Sequence, residues 1–192
     1  ALAQLKQRFA KTMLYVDEAH AIGVRGEQGL GCAEQYGVLD QIDFLVGTFG
    51  KAIASVGGYI ICDSIMRDYL INKMRPLIFS TALPPISMAW SDFIFNKVLN
   101  MQQQRQHLAE ISQYLQQAVI AKGFSSPSSS HIIPIILGES QAAIEKARYV
   151  QQQGFYAMPV RPPTVPQNSS RLRISLTSLV QKNELQQLVE YL

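Results

Sequence analysis

The chain has 192 residues, 47% of them hydrophobic and 16% charged, which is enough apolar material for a sizeable core and excludes a disordered, charge-rich tail. Its 17 Lys and Arg against 14 Asp and Glu leave a net charge of +3 with no dense basic block, so the balance demands neither nucleic acid nor an anionic membrane as partner. Two cysteines, Cys32 and Cys62, stand in no metal-binding or redox spacing and read as buried thiols in a reduced, cytoplasmic setting. The opening "ALAQLKQRFAKTML" lacks the design of a signal peptide, and the most apolar stretch, "AIASVGGYIIC", is too short to span a bilayer, so a soluble chain is expected.

In chain order, "TMLYVDEAH" and "IDFLVGTFGK" are apolar, β-rich runs that end in polar tips, and both read as buried strands. "GGYIICDS" predicts a third short strand entered through Gly57 and Gly58, and "SIMRDYLINKM" a helix capped by Ser64. "PLIFSTALPP" reads as an extended piece closed by Pro84 and Pro85. From Ile86 to about Lys122, apolar residues recur at helical spacing in a Gln- and Leu-rich background, giving one long helix or two. The composition then changes. A Ser/Pro turn, "GFSSPSSSH", leads to a strand, "IIPIILG", and to an amphipathic helix, "SQAAIEKARYVQQQG", closed by Gly154. Two strands follow, in "FYAMPV" and "SSRLRISLT" around a Pro-rich loop, before a last helix, "NELQQLVEYL". The class is α/β: the end of a large mixed-sheet domain over residues 1–87, then a smaller α+β domain of βαββα pattern over residues 88–192. So few residues precede the strand at Tyr15 that its neighbours must come from elsewhere, and a part of a larger protein is expected.

"DEAH" at the end of a strand is also the spelling of a helicase motif, in which an acidic pair holds magnesium for ATP hydrolysis. That chemistry needs a phosphate-cradling loop of Gly, four residues and Gly-Lys-Ser/Thr. The one candidate is "LVGTFGKA", where Leu45 stands in place of the first glycine and Ala52 in place of the hydroxyl residue. It also follows the acidic strand where a helicase places it before. The ATPase reading is therefore the distant alternative.

Ligands of open α/β sheets sit outside the carboxyl ends of the strands, so Asp17, His20, Thr48 and Lys51 are placed to converge on one small molecule. A lysine among apolar neighbours is suited to forming a Schiff base, and a carboxylate facing a pyridine nitrogen keeps that ring protonated and able to accept electrons. This is the division of labour in pyridoxal phosphate enzymes.

The ordered motifs "DEAHAIGVRGEQGLG", "TFGKAIASVGGYI", "FSTALPP" and "RPPTVP" followed by "RLRISLT" resemble those of the α-oxoamine synthases over the whole chain. These are fold-type-I pyridoxal phosphate enzymes that join an amino acid to an acyl-CoA with loss of carbon dioxide. The resemblance implies the C-terminal half of such a transferase. Its "RPPTVP" segment points to the branch that condenses L-alanine with pimeloyl-CoA, or a related pimeloyl thioester, in biotin synthesis; a sibling using glycine and another acyl-CoA is the runner-up. The resemblance also implies roles. Asp17 pairs with the pyridinium nitrogen, His20 contacts the cofactor's phenolic oxygen, Thr48 binds the phosphate, and Lys51 holds the cofactor aldehyde and acts as the base. Ser80 and Thr81 reach the phosphate of the partner's site in a homodimer, Thr164 contacts substrate, and Arg173 clamps the amino-acid carboxylate. Arg161 stands between an acyl or CoA contact and a surface role, while His107 and His131 are expected on the surface. The chain by itself, without the remainder of the parent, is expected to turn over little substrate.

Overall fold

A strand whose side chains alternate between two environments needs a covering layer on each apolar face. In the computed structural model, which describes residues 1–192, β1 (Tyr15–Asp17) pairs in parallel with β2 (Phe44–Thr48). β3 (Gly58–Ile61) runs antiparallel on the other side of β2. Leu14, Val16 and Glu18 share one face of this sheet with Leu45, Gly47 and Tyr59, and Leu14, Leu45 and Glu18 on it are buried. On the opposite face Tyr15 is 64% exposed and Asp17 is exposed, with Phe44, Val46 and Thr48 half-buried. Both strands read as buried; within this chain the face of Leu14, Leu45 and Glu18 is buried, while Tyr15 and Asp17 on the other face are exposed.

The chain divides into two units, Ala1–Arg105 and Gln106–Leu192. Composition alone drew the boundary at residue 88; the helix α5 (Pro85–Leu99) instead goes with the first unit, whose loop after β2 it holds by side-chain hydrogen bonds. The first unit also contains α1 (Leu2–Arg8), the short α2 (Cys32–Gln35), α3 (Ser64–Lys73) and α4 (Arg75–Ile78). Asp63, not Ser64, caps α3: its Oδ1 accepts the Met66 N–H at 2.8 Å. The segment read as extended, residues 76–85, begins with the helical turn α4, since Pro76 sits in its first turn, where a missing N–H costs nothing. Both cysteines are half-buried free thiols rather than fully buried, and burial, then the nearby Glu18 charge, raises the Cys32 thiol above its ordinary value.

The helix α6 (Gln102–Ala121) leads into the second unit, whose sheet has the order β4-β6-β5, all antiparallel: β4 (Ile132–Gly138), β5 (Met158–Val160) and β6 (Ser170–Ser175). Ile133, Ile135, Leu172 and Ile174 form its buried face, with Leu115 and Val119 of α6, Ala143, Ala147 and Val150 of α7 (Ser140–Gln152), and Leu185 and Leu188 of α8 (Lys182–Glu190) completing the core. His107 is half-buried and its Nε2 meets the Val180 carbonyl at 3.0 Å; His131 is half-buried too, so neither is the surface residue that its polar context suggested. No helix is long and apolar enough to cross a membrane.

Two expectations follow. A Cβ at Gly47 would lie 2.2 Å from the Tyr59 hydroxyl oxygen and 2.3 Å from its ring carbon, and the β2–β3 register fixes that ring. Gly47→Ala should therefore cost about 1–3 kcal/mol, read as a lowered denaturant midpoint. Secondly, Lys6 lies 2.7 Å from Asp43, which also accepts the Leu14 N–H at 2.7 Å, and these bonds hold the Asp43 carboxyl below its ordinary value of 3.8. A folded value below the unfolded one means that this tie is in full force above 3.8 and is lost as the pH falls through the lower folded value. Amide exchange in α1 should rise over that acid range in the native chain, and Asp43→Asn should raise it already at pH 7.

Candidate active site

The parallel register Asp17↔Val46 sets the carboxyl ends of β1 and β2 side by side, and the alternation places Asp17 and Thr48 on the same face. Beyond β1 the Glu18 carbonyl accepts the Ala21 and Ile22 amides at 2.7 and 2.9 Å, closing a turn that carries His20. Asp17 Oδ1 accepts the Ala19 N–H at 2.8 Å, and the side chain is exposed at the strand end. Beyond β2 the chain makes a loop closed by Phe49 N–H to Gly57 O at 2.9 Å, and Lys51 projects from it. The two segments touch: Gly23, at φ 79°, has no side chain to collide with Ala52, whose Cβ would lie 2.9 Å from an added one. One sheet edge thus gathers Asp17, His20, Thr48 and Lys51.

The lysine loop is held from beneath. Ile53, fully buried, plugs it, contributing about 2–3 kcal/mol of apolar burial. Trp90 Nε1 donates to the Ala54 carbonyl at 2.9 Å, and the Ser55 hydroxyl meets that of Ser91 at 2.8 Å. Lys51 itself is exposed rather than held among apolar neighbours. Its loop returns directly to β3, whereas a phosphate-cradling loop would start a helix at that lysine, so the "DEAH" spelling is a coincidence.

The remaining candidates are placed less directly. The Thr48 hydroxyl is already spent locally, donating to Gly57 O and accepting Gly50 N–H, both at 3.1 Å. Ser80, exposed, donates to the Pro76 carbonyl, and Thr81 is exposed; neither bonds to Thr48 or Lys51. Leu83, three residues on, packs against Gly57, where an added Cβ would lie 2.6 Å from its Cδ1. In the second unit, Arg173 is exposed on the central strand between Pro134 and Met158, on the face opposite Leu172. Arg171 lies on that same face and donates to the Ser169 carbonyl at 2.9 Å; neither arginine has a carboxylate partner. Thr164 is exposed in the loop before β6, its amide bonded to the Arg161 carbonyl at 3.0 Å, and Arg161 is exposed.

Three buried or bridging groups escaped the reading of the sequence. Glu18 is 3% exposed, and its carboxylate accepts the Cys32 and Ala33 amides at 3.0 and 2.7 Å. Arg105, 7% exposed, donates to Val98 O at 2.5 Å and to Glu27 O, and desolvation lowers its affinity for the proton. Glu34 accepts the Gln28 and Leu30 amides at 2.9 and 2.8 Å. A signal was present: Leu14, Val16 and Glu18 alternate onto the core face, and Arg105 stands at helical spacing with Leu108, Ser112 and Leu115.

The sequence matches the aminotransferase class I and II family over residues 1–192. It is 53% identical over 192 residues to the 8-amino-7-oxononanoate synthase of Haemophilus ducreyi, covering 98% of this chain and 50% of that protein. Among solved structures it resembles SPT with a PLP internal aldimine, at TM-score 0.92 and 27% identity, over 99% of this chain and 48% of that one. It also resembles the 8-amino-7-oxononanoate synthase of Francisella tularensis, at TM-score 0.86 and 27% identity, over 98% and 56% respectively. The chain spans about half the length of the curated relatives it matches. Matched from end to end, it belongs to the aminotransferase class I and II family.

Proposed function

We propose that the protein is an α-oxoamine synthase of the 8-amino-7-oxononanoate type, condensing L-alanine with pimeloyl-CoA or a related thioester and releasing carbon dioxide and CoA, with pyridoxal phosphate held on Lys51. The observation that carries this is the joining of the Asp17–His20 turn to the Lys51 loop through Gly23 and Ala52 at one sheet edge. The donor set fits the cofactor: a primary amine for the aldehyde, an exposed carboxylate for the ring N–H, an imidazole for the phenolic oxygen and a hydroxyl for the phosphate. Identity of 53% to a named 8-amino-7-oxononanoate synthase supports this branch over a glycine-using sibling.

When bound, pyridoxal phosphate supplies an electron sink for the charge that develops at the substrate α-carbon. Lys51 Nζ would anchor the cofactor, and its exposed loop position would leave the same amine free to take the substrate α-proton as general base. The Asp17 carboxylate would hold the ring N–H, with the Ala19 amide on Oδ1 keeping it oriented. Thr48 would serve the phosphate with the hydroxyl proton that it now gives to the Gly57 carbonyl. Arg173 offers a planar, bidentate clamp for the alanine carboxylate, with Thr164 at the neighbouring loop contacting substrate. A homodimer belongs to the same reading: Ser80 and Thr81 serve the partner's site, and the exposure of Phe79 (76%) and Ile86 (78%) on either side of them supports a covering surface.

Incubation of the chain with pyridoxal phosphate, borohydride reduction and peptide mapping should place the adduct on Lys51 and lose it in Lys51→Ala. Labelling spread evenly over the exposed lysines would overturn the cofactor reading. For the reaction, this chain joined to the segment of the Haemophilus ducreyi relative that the match leaves uncovered should release CoA from L-alanine and pimeloyl-CoA. The rate should fall roughly a thousandfold or more in Lys51→Ala and about a hundredfold in Arg173→Lys, while the chain alone shows little turnover. Faster turnover with glycine than with L-alanine would move the assignment to a sibling synthase.

A further inference from the structure

Glu18 adjoins Asp17 in the chain, yet its side chain points the other way, into the core face of the sheet. Every polar group it owns is engaged. Its amide donates to Val46 O at 2.7 Å across the β1–β2 pair, and its carbonyl accepts the Ala21 and Ile22 amides of the His20 turn. Its carboxylate accepts Cys32 N–H at 3.0 Å and Ala33 N–H at 2.7 Å, beyond the glycine-rich loop of residues 23–31. The fit leaves no slack: at Gly31, φ 104°, an added Cβ would sit 2.8 Å from the Glu18 carboxyl carbon. The far side of that loop is held independently by Glu34 on Gln28 and Leu30 and by Arg105 on Glu27. The loop therefore hangs between fixed points, and Glu18 is the point shared with the strand that ends in Asp17.

We propose that Glu18 is a positioning residue, whose buried carboxylate, by gripping the Cys32 and Ala33 amides, fixes the turn of residues 18–22 and so the directions in which Asp17 and His20 face the sheet edge. Removing the carboxylate leaves two buried amides without an acceptor and frees the turn to rotate about β1. The role deepens the cofactor reading given above and rests on it for its meaning, though its geometry stands without it.

The test uses the chain itself. In Glu18→Ala, amide exchange at Ala21 and Ile22, whose acceptor is the untouched Glu18 carbonyl, should quicken about tenfold or more, while β3 amides stay as in the native chain. Glu18→Gln, whose single carbonyl oxygen can serve only one of the two amides while its NH2 faces the other, should quicken exchange to an intermediate degree. Glu18→Asp, too short to reach both amides, should quicken exchange severalfold, and it decides the matter if the alanine variant fails to fold. Unchanged exchange at Ala21 and Ile22 in the aspartate variant, or an increase spread equally over β3, would overturn the proposal. In parallel, the borohydride-trapped adduct on Lys51 is followed against pH: Glu18→Ala should shift this profile, and Glu18→Gln, which keeps one of the two acceptors, should shift it less. Should the native chain capture no cofactor on Lys51, the cofactor reading falls while the exchange comparison still decides the role of Glu18.

Discussion

The parallel pairing of β1 with β2 is the constraint on which the site depends. Two strands that run the same way deliver their carboxyl ends to the same edge, so an acidic turn and a lysine loop more than thirty residues apart in sequence emerge as neighbours. The pair on its own would set only their spacing. Their close approach is permitted by the glycine at position 23, which lets the acidic turn close onto Ala52. Beneath that contact, the buried Ile53 and the hydrogen bonds from Trp90 and Ser91 make the lysine loop a rigid bracket.

The two units divide the labour in the proposed reaction. The first would hold the cofactor through the groups at its sheet edge, and the second presents guanidinium groups on an open sheet face. Arginine suits such a face because its long apolar stem covers the strand while its charge stays in water. The absence of a carboxylate partner for Arg171 and Arg173 means that an incoming anion has no internal competitor to displace.

Much of this was legible in the order of residues. Strand tips and the lysine loop follow from apolar runs that end in polar residues, and the Asp17–Lys51 constellation follows from adjacent strands in an open sheet. The long helical region resolves into α5 and α6 because Asn100 and Met101 interrupt it. Other features were not legible. Whether a short apolar strand is covered on one face or two depends on residues far from it in sequence, which periodicity does not report. Asp63 took the cap from Ser64 because either side chain could accept the same amide, and one residue of phase decided it. Thr48 and Ser80 lie at turns, where local backbone bonding competes with any ligand for the same hydroxyl. Glu18 was hidden by its spelling: within "DEAH" it reads as one more acidic tip, and only strict alternation from Leu14 and Val16 assigns it inward.

The alternation along β6 has a consequence for how the second sheet assembles. Arg171 and Arg173 interleave with Leu172 and Ile174, so a slip of one residue against β4 would drive two guanidinium groups into the space now filled by aliphatic carbon and expel the aliphatic pair into water. Such a misaligned state would be too costly to persist, even beside the irregularity between Ile136 and Gly138 that locally loosens the ladder. The charges offered to an anion are thus also what forbids the wrong hydrogen-bond pairing.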